Sequence, residues 1–129
     1  MTQALDSFIV RLRSLRVLPR EVAKEAAPLV EKAIKKQVAS GLDPTGKPWK
    51  PKKDGGKPLE HAADAISTKA VGETIVTTLE GKEVYHHHGV PGGAPQRRIL
   101  PDAGELPPYV AEAVDEGASR AYRRLMGAQ

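Results

Sequence analysis

The run Thr74-Ile75-Val76-Thr77-Thr78-Leu79 constrains this chain more than any other stretch. β-Branched residues are stiff at χ1 and pack best on a pleated surface, so the run predicts a strand. The weaker Ala65-Ile66-Ser67-Thr68-Lys69-Ala70-Val71 precedes it, and Gly72-Glu73 between them predicts a tight hairpin. Glu80-Gly81-Lys82 predicts a second turn leading into a third strand, Glu83-Val84-Tyr85. Arg97 to Leu100 would add an edge strand and complete a small antiparallel meander.

Helical periodicity flanks this region on both sides. Leu5, Phe8, Ile9, Leu12 and Leu15 predict a short amphipathic helix ending near Val17, with Arg11, Arg13 and Arg16 mostly on the other face. Pro19 sits where proline is best tolerated, at the start of a second helix. Val22, Ala26, Leu29, Val30, Ala33, Ile34 and Val38 carry that helix to a C-cap at Gly41, and Pro28 should kink or divide it. A last helix spans about Pro107 to Met126. Its apolar face is Tyr109, Val110, Ala113, Val114, Ala118, Ala121, Tyr122 and Leu125. Acidic Glu112, Asp115 and Glu116 lie in its first half and Arg120, Arg123 and Arg124 near its end, which complements the helix dipole.

The expected fold is α+β, with N-terminal helices and a long C-terminal helix packed on a small antiparallel sheet. A chain of 129 residues suits one domain, residues 1–129. Residues 42–58 form a long loop by composition, with Pro44, Gly46, Pro48, Pro51, Gly55, Gly56 and Pro58 among its breakers. Neither flank would make a domain alone, so the loop belongs inside the domain rather than between two. Loops of that length are functional or mobile.

Hydrophobic residues make up 40% and aromatics only 4%, so the core is aliphatic and alanine-rich. Without cysteine there is no disulfide framework and no thiolate metal site. No secretory leader or membrane-length apolar run is present, and an intracellular soluble protein is expected. The net charge of +4 is unevenly placed. Residues 1–57 carry 13 Lys/Arg against 6 Asp/Glu, and residues 58–129 carry 7 against 10. Such polarity suits a DNA-facing surface, head-to-tail packing of subunits, or simply a solvated lysine-rich face.

The residues that attract chemical attention support no catalytic constellation. In an extended segment His86, His87 and His88 would point to alternate faces and diverge, and His61 is the only other histidine. No serine lies in a nucleophile elbow, and neither Gly55-Gly56 nor Gly92-Gly93 has P-loop spacing. We therefore expect no enzyme, no cofactor and no small-molecule substrate. Lys47, Lys50, Lys52, Lys53 and Lys57 make a docking or DNA-facing loop. Trp49 within it is a packing anchor or protein contact before it is a base-stacking platform. Arg97 and Arg98 have three readings: a solvated edge, a phosphate contact, or an intersubunit ion pair with Glu112 or Asp115.

Taken in order, these parts resemble the phage virion morphogenesis family, the tail-completion and neck proteins of tailed phages and prophages. The resemblance rests on D-P-x-G-x-x-W at Asp43, Pro44, Gly46 and Trp49, then a Lys/Pro-rich loop ending at Leu59 and a β-hairpin. Val84-Tyr85 leading to histidines and Gly89 follows, then P-x-R-x-[FI]-L-P at Pro95, Arg97, Ile99, Leu100 and Pro101, then a final helix. Tyr85 runs straight into three histidines where the family has a longer spacing, so His87 or His88 takes the place of the family's histidine. Gly72-Glu73 is also a tighter connection than relatives tend to have.

The resemblance implies a structural protein of tail completion and head–tail joining, located in the virion or in the host cytoplasm during assembly. It would act by association, as a homo-oligomeric ring and with other tail or neck proteins, near DNA and away from membranes. Trp49, Tyr85, His87, His88, Arg97, Arg98, Ile99 and Leu100 are the expected interface residues. The alternative is a small basic nucleic-acid-binding protein.

Overall fold

The fold comes from a computed structural model that describes residues 6, 7, 9, 10, 12, 13, 15–51, 61–81, 83–89, 95–101 and 105–127. Lys52, Lys53 and Lys57, the second half of the 42–58 loop and the side chain of Tyr85 lie outside the described residues.

Residues 6, 7, 9, 10, 12 and 13 are helical and lead through a 3₁₀ turn, Leu15–Val17, into helix α1, Leu18–Ala39. Pro19 occupies the first turn of α1, where no backbone donor is needed. Ala23, Ala26, Ala27, Val30, Ile34 and Val38 form its buried stripe. Pro28 does not divide the helix, as the sequence suggested it would. Its ring is exposed, so the carbonyl one turn earlier that loses its donor faces water. Ser40 caps the C-terminus, its hydroxyl donating to the Lys36 carbonyl at 2.9 Å, and Gly41 leaves the helix at φ 77°.

A short 3₁₀ turn, Ala62–Ala65, enters the hairpin of β1, Ile66–Val71, and β2, Thr74–Leu79. The strands are antiparallel with Ile66 opposite Leu79 and Val71 opposite Thr74. Gly72 takes φ 62° in the two-residue turn, the sign that matches strand twist. Ile66, Thr68, Ala70, Ile75, Thr77 and Leu79 share the face toward α1. There Thr68 and Thr77 join hydroxyls at 2.9 Å. The Thr68 N–H donates to Glu31 of α1 at 2.7 Å, which satisfies a backbone donor on the outer edge of β1 that has no partner strand among the described residues.

Among the described residues the sheet consists of these two strands. Glu83-Val84-Tyr85 is not a third strand but the start of helix α2, Glu83–His88. A stretch this short carries no periodicity to separate strand from helix, and here its backbone is satisfied locally, from the turn at Gly81 onward. Residues 97–100 are not an edge strand either. The backbone donors of Arg97, Ile99 and Leu100 are taken by α2, as described below.

Helix α3, Pro108–Leu125, buries Ala113, Gly117 and Ala121. It runs antiparallel to α1, with Arg124 near its end bonded to Glu21 at 2.9 Å and Glu25 at 3.1 Å near the start of α1. Tyr122, expected on the apolar face, is half exposed. One core cluster joins the elements: Ala26, Val30, Ile34 and Val38 of α1 meet Trp49, Ala62, Ile66, Ile99 and Ala113. The architecture is α+β, helices on a small antiparallel sheet.

Candidate functional site

The Asp43–Trp49 segment is an ordered turn built around one carboxylate. Asp43 Oδ1 accepts from the Thr45 N–H at 2.9 Å, the Thr45 hydroxyl at 2.6 Å and the Lys47 N–H at 2.9 Å. Burial alone would raise the Asp43 pKa, but these bonds outweigh it and hold the carboxyl below the ordinary value. Gly46 supplies φ 91°, and Gln37 of α1 donates to the Asp43 carbonyl at 3.0 Å. The turn delivers Trp49 into the core, 7% exposed. Each residue of the D-P-x-G-x-x-W pattern thus has a structural task, with Pro44 buried beneath the turn.

Residues 97–100 close over this turn. The Trp49 indole N–H donates to the Arg98 carbonyl at 2.7 Å. Arg97 is only 6% exposed. Its Nε donates to the Lys50 carbonyl at 2.8 Å and its Nη2 to the Pro51 carbonyl at 3.3 Å. Its own N–H donates to the His86 carbonyl of α2 at 2.7 Å. His87 Nδ1 accepts from the N–H groups of Ile99 at 3.1 Å and Leu100 at 3.4 Å, so its proton sits on Nε2.

The expected interface residues do come together, but largely as an internal clasp. Trp49, Arg97 and Ile99 are buried, so their side chains pack within the chain rather than lie open on its surface. The reason is hydrogen-bond supply: the loop carbonyls of Lys50 and Pro51 satisfy the guanidinium and remove its need for water. Arg98 is half buried and paired with Glu105. His88 is exposed, set edge-on to the His87 ring. The histidines do not alternate between opposite faces as in a strand, because they lie on a helix. Among the described residues no group of three or more His, Cys, Asp or Glu is placed to hold a metal ion. No described helix is long and apolar enough to cross a membrane. Lys47 and Lys50 are exposed.

Beside the clasp lies an apolar groove of about 370 Å³ that sequence reading missed. Val30 and Ile34 of α1 lie within it, Ile75 and Thr77 of β2 line one side, Val110 and Val114 of α3 the other, and Leu100 and Pro101 join it from the clasp. Leu106 is 66% exposed at its border and Glu105 adds a charge there. A smaller recess of about 270 Å³ between α1 and α3 is rimmed by Lys32, Lys36, Glu112 and Glu116. Tyr109 lines it, and its hydroxyl is buried without a hydrogen-bond partner among the described residues. Burial, aided by the charges of Asp43 and Glu105, pushes the phenol from its ordinary value up to about 12.

No protein-family model matches the chain, and neither a curated protein nor a solved structure matches it.

Proposed function

We propose that the chain is a structural protein of phage tail completion and head–tail joining, acting by protein–protein association rather than turnover. The observation that carries this reading is the clasp. The two stretches on which the family resemblance rests, 43–49 and 95–101, form one unit in which Asp43, Gly46, Trp49, Arg97 and Ile99 each hold the others in place. Residues with such interlocked tasks are the kind a family would share as a set. The exposed apolar groove next to the clasp gives the protein a surface for association.

Of the expected contact residues, His87, His88, Arg98 and Leu100 remain accessible in whole or part. Contacts to a ring neighbour or to tail and neck proteins would then fall on the groove side. The test is deletion of the gene from its phage or prophage, followed by electron microscopy of the lysate. Heads and tails made but unjoined, or tails left incomplete, are expected. Normal infectious particles would sink the proposal.

Nucleic-acid binding is the second reading, favoured by exposed Lys47 and Lys50 and by the positive surplus of residues 1–57. Burial of Trp49 removes its one stacking platform in that loop. Gel retardation that weakens steeply with salt would support this reading, and no retardation at low salt would remove it.

A further inference from the structure

The backbone of β2 is open on the side that faces the groove. The Glu80 N–H donates to the Ala65 carbonyl at 3.0 Å, which fixes the parity of the hairpin ladder. Residues 65, 67, 69 and 71 therefore bond across to 80, 78, 76 and 74. The N–H and C=O groups of Ile75 and Thr77 point away from β1, and among the described residues they have no hydrogen-bond partner. Both residues line the groove. The outer edge of β1 is closed by contrast: Glu31 accepts from the Thr68 N–H, and Lys69 puts a charge in the strand. Nothing of that kind blunts β2, Thr74–Leu79, which contains no charge, proline or glycine.

We propose that the groove receives an extended segment of a partner protein, uncharged and apolar at every second residue, which adds to β2 as a third strand. Backbone donors and acceptors that recur at every second residue are complemented by another extended backbone, and strand addition at a free edge is a recurrent mode of recognition. The space has the right width. The hairpin rests on α1, while α3 lies beside α1 and puts Val110 and Val114 in the groove wall. Packed helices lie about 8–10 Å apart and paired strands about 4.8 Å. Two strands thus cover about one helix of the pair and leave room over α3 for one strand or two. The lining asks for apolar side chains: Val30, Ile34, Val110, Val114 and exposed Leu106 form it, and the charge of Glu105 is already paired with Arg98. A second copy does not fit by the same edge. Its β2 is flanked by its own α3, and two helices cannot share the space beneath strands about 4.8 Å apart. The inference rests on the reading of the groove as an association surface and adds the form of the partner.

The probe is a capped peptide of alternating threonine and valine with a lysine at each end, added to the full-length protein. It is expected to bind saturably and to slow hydrogen exchange at the Ile75 and Thr77 amides, read by NMR. The same peptide with its amides N-methylated should bind at least about tenfold more weakly. Thr77→Pro removes the outward N–H, at an edge position that tolerates proline, and should weaken binding as much. Thr77→Val loses the same hydroxyl but keeps the N–H, and should bind as the unsubstituted protein does. If Thr77→Pro fails to fold, the methylated peptide decides. No saturable binding would overturn the inference, as would binding that leaves both amides exchanging as before or that tolerates methylation. Slow exchange of these amides in the free, dilute protein would mean that the chain covers its own edge. Their protection on concentrating the protein alone would give the edge to a second copy, and either result overturns the inference. Failure here leaves the deletion phenotype to decide the assembly reading.

Discussion

Gly117 of α3 lies against Ala26 of α1 with no space for a side chain. A methyl group on Gly117 would sit 2.6 Å from both the Cα and the Cβ of Ala26 and 2.8 Å from its backbone nitrogen. The two long helices cross backbone to backbone, and the small residues Ala113, Gly117 and Ala121 make that approach possible. Gly117→Ala sets two effects against each other. Alanine favours the helix by about 1 kcal/mol, but overpacking against a rigid backbone costs about 1–3 kcal/mol or more. The clash involves atoms that cannot rotate away, so we expect net destabilisation of about 2 kcal/mol. Chemical denaturation of the variant checks this, and a more stable variant would show that the helices can separate freely.

Arg97→Ala should destabilise the monomer rather than spare it. The substitution strips the Lys50 and Pro51 carbonyls of a charged donor and empties a buried volume. We expect a loss of about 3 kcal/mol, read as a fall of about 10 °C in Tm. Unchanged melting with defective assembly would restore Arg97 to an interface role.

His87 is needed as an acceptor. His87→Ala leaves the Ile99 and Leu100 N–H groups without their bond and should cost about 1–2 kcal/mol. His87→Asn, whose side-chain oxygen can stand in for Nδ1, should recover part of that loss. Nitrogen NMR should find the proton on Nε2. A proton on Nδ1 in the folded protein would refute the assignment.

Tyr109 ties stability to alkaline pH. Its phenol is raised from 10.0 to about 12 in the fold, first by burial and then by Asp43 and Glu105. The folded state therefore holds the neutral phenol more tightly than the unfolded chain does. That contribution is fully present below pH 10 and is lost as pH rises from 10 to about 12. Tyr109→Phe should flatten the decline. At neutral pH it should be neutral or stabilising by up to about 1 kcal/mol, because the hydroxyl it removes has no partner among the described residues. Ultraviolet titration that finds no tyrosine ionising above the ordinary value would contradict this.

Legibility in the sequence followed the range of the interaction. Thr74–Leu79 and Gly72 declared the hairpin because rotamer stiffness and turn sign act within a few residues. Glu83-Val84-Tyr85 misled because a few residues satisfy a strand or a helix pattern equally. Gly117 does not belong to the apolar stripe that periodicity picks out. Its position midway between Ala113 and Ala121, four residues from each, was the available signal of a close helix crossing. Arg97 is open to three readings in sequence, a solvated edge, a phosphate contact or an intersubunit ion pair, because the carbonyls that satisfy it lie 47 and 46 residues away.

The sequence by itself determined the order of helix, hairpin and helix, the α+β class and the boundaries of α1 and α3. Periodicity, proline and glycine act locally, and packing had only to accept them. Tertiary structure alone decided which polar groups are inside and which apolar ones are left outside. Trp49, Arg97 and His87 are settled by partners from distant segments, and the groove exists only where α1, β2, α3 and the clasp meet. A buried polar group is tolerable only with its partner in place, and a groove is a space between elements. Neither is a property that any single stretch of chain possesses.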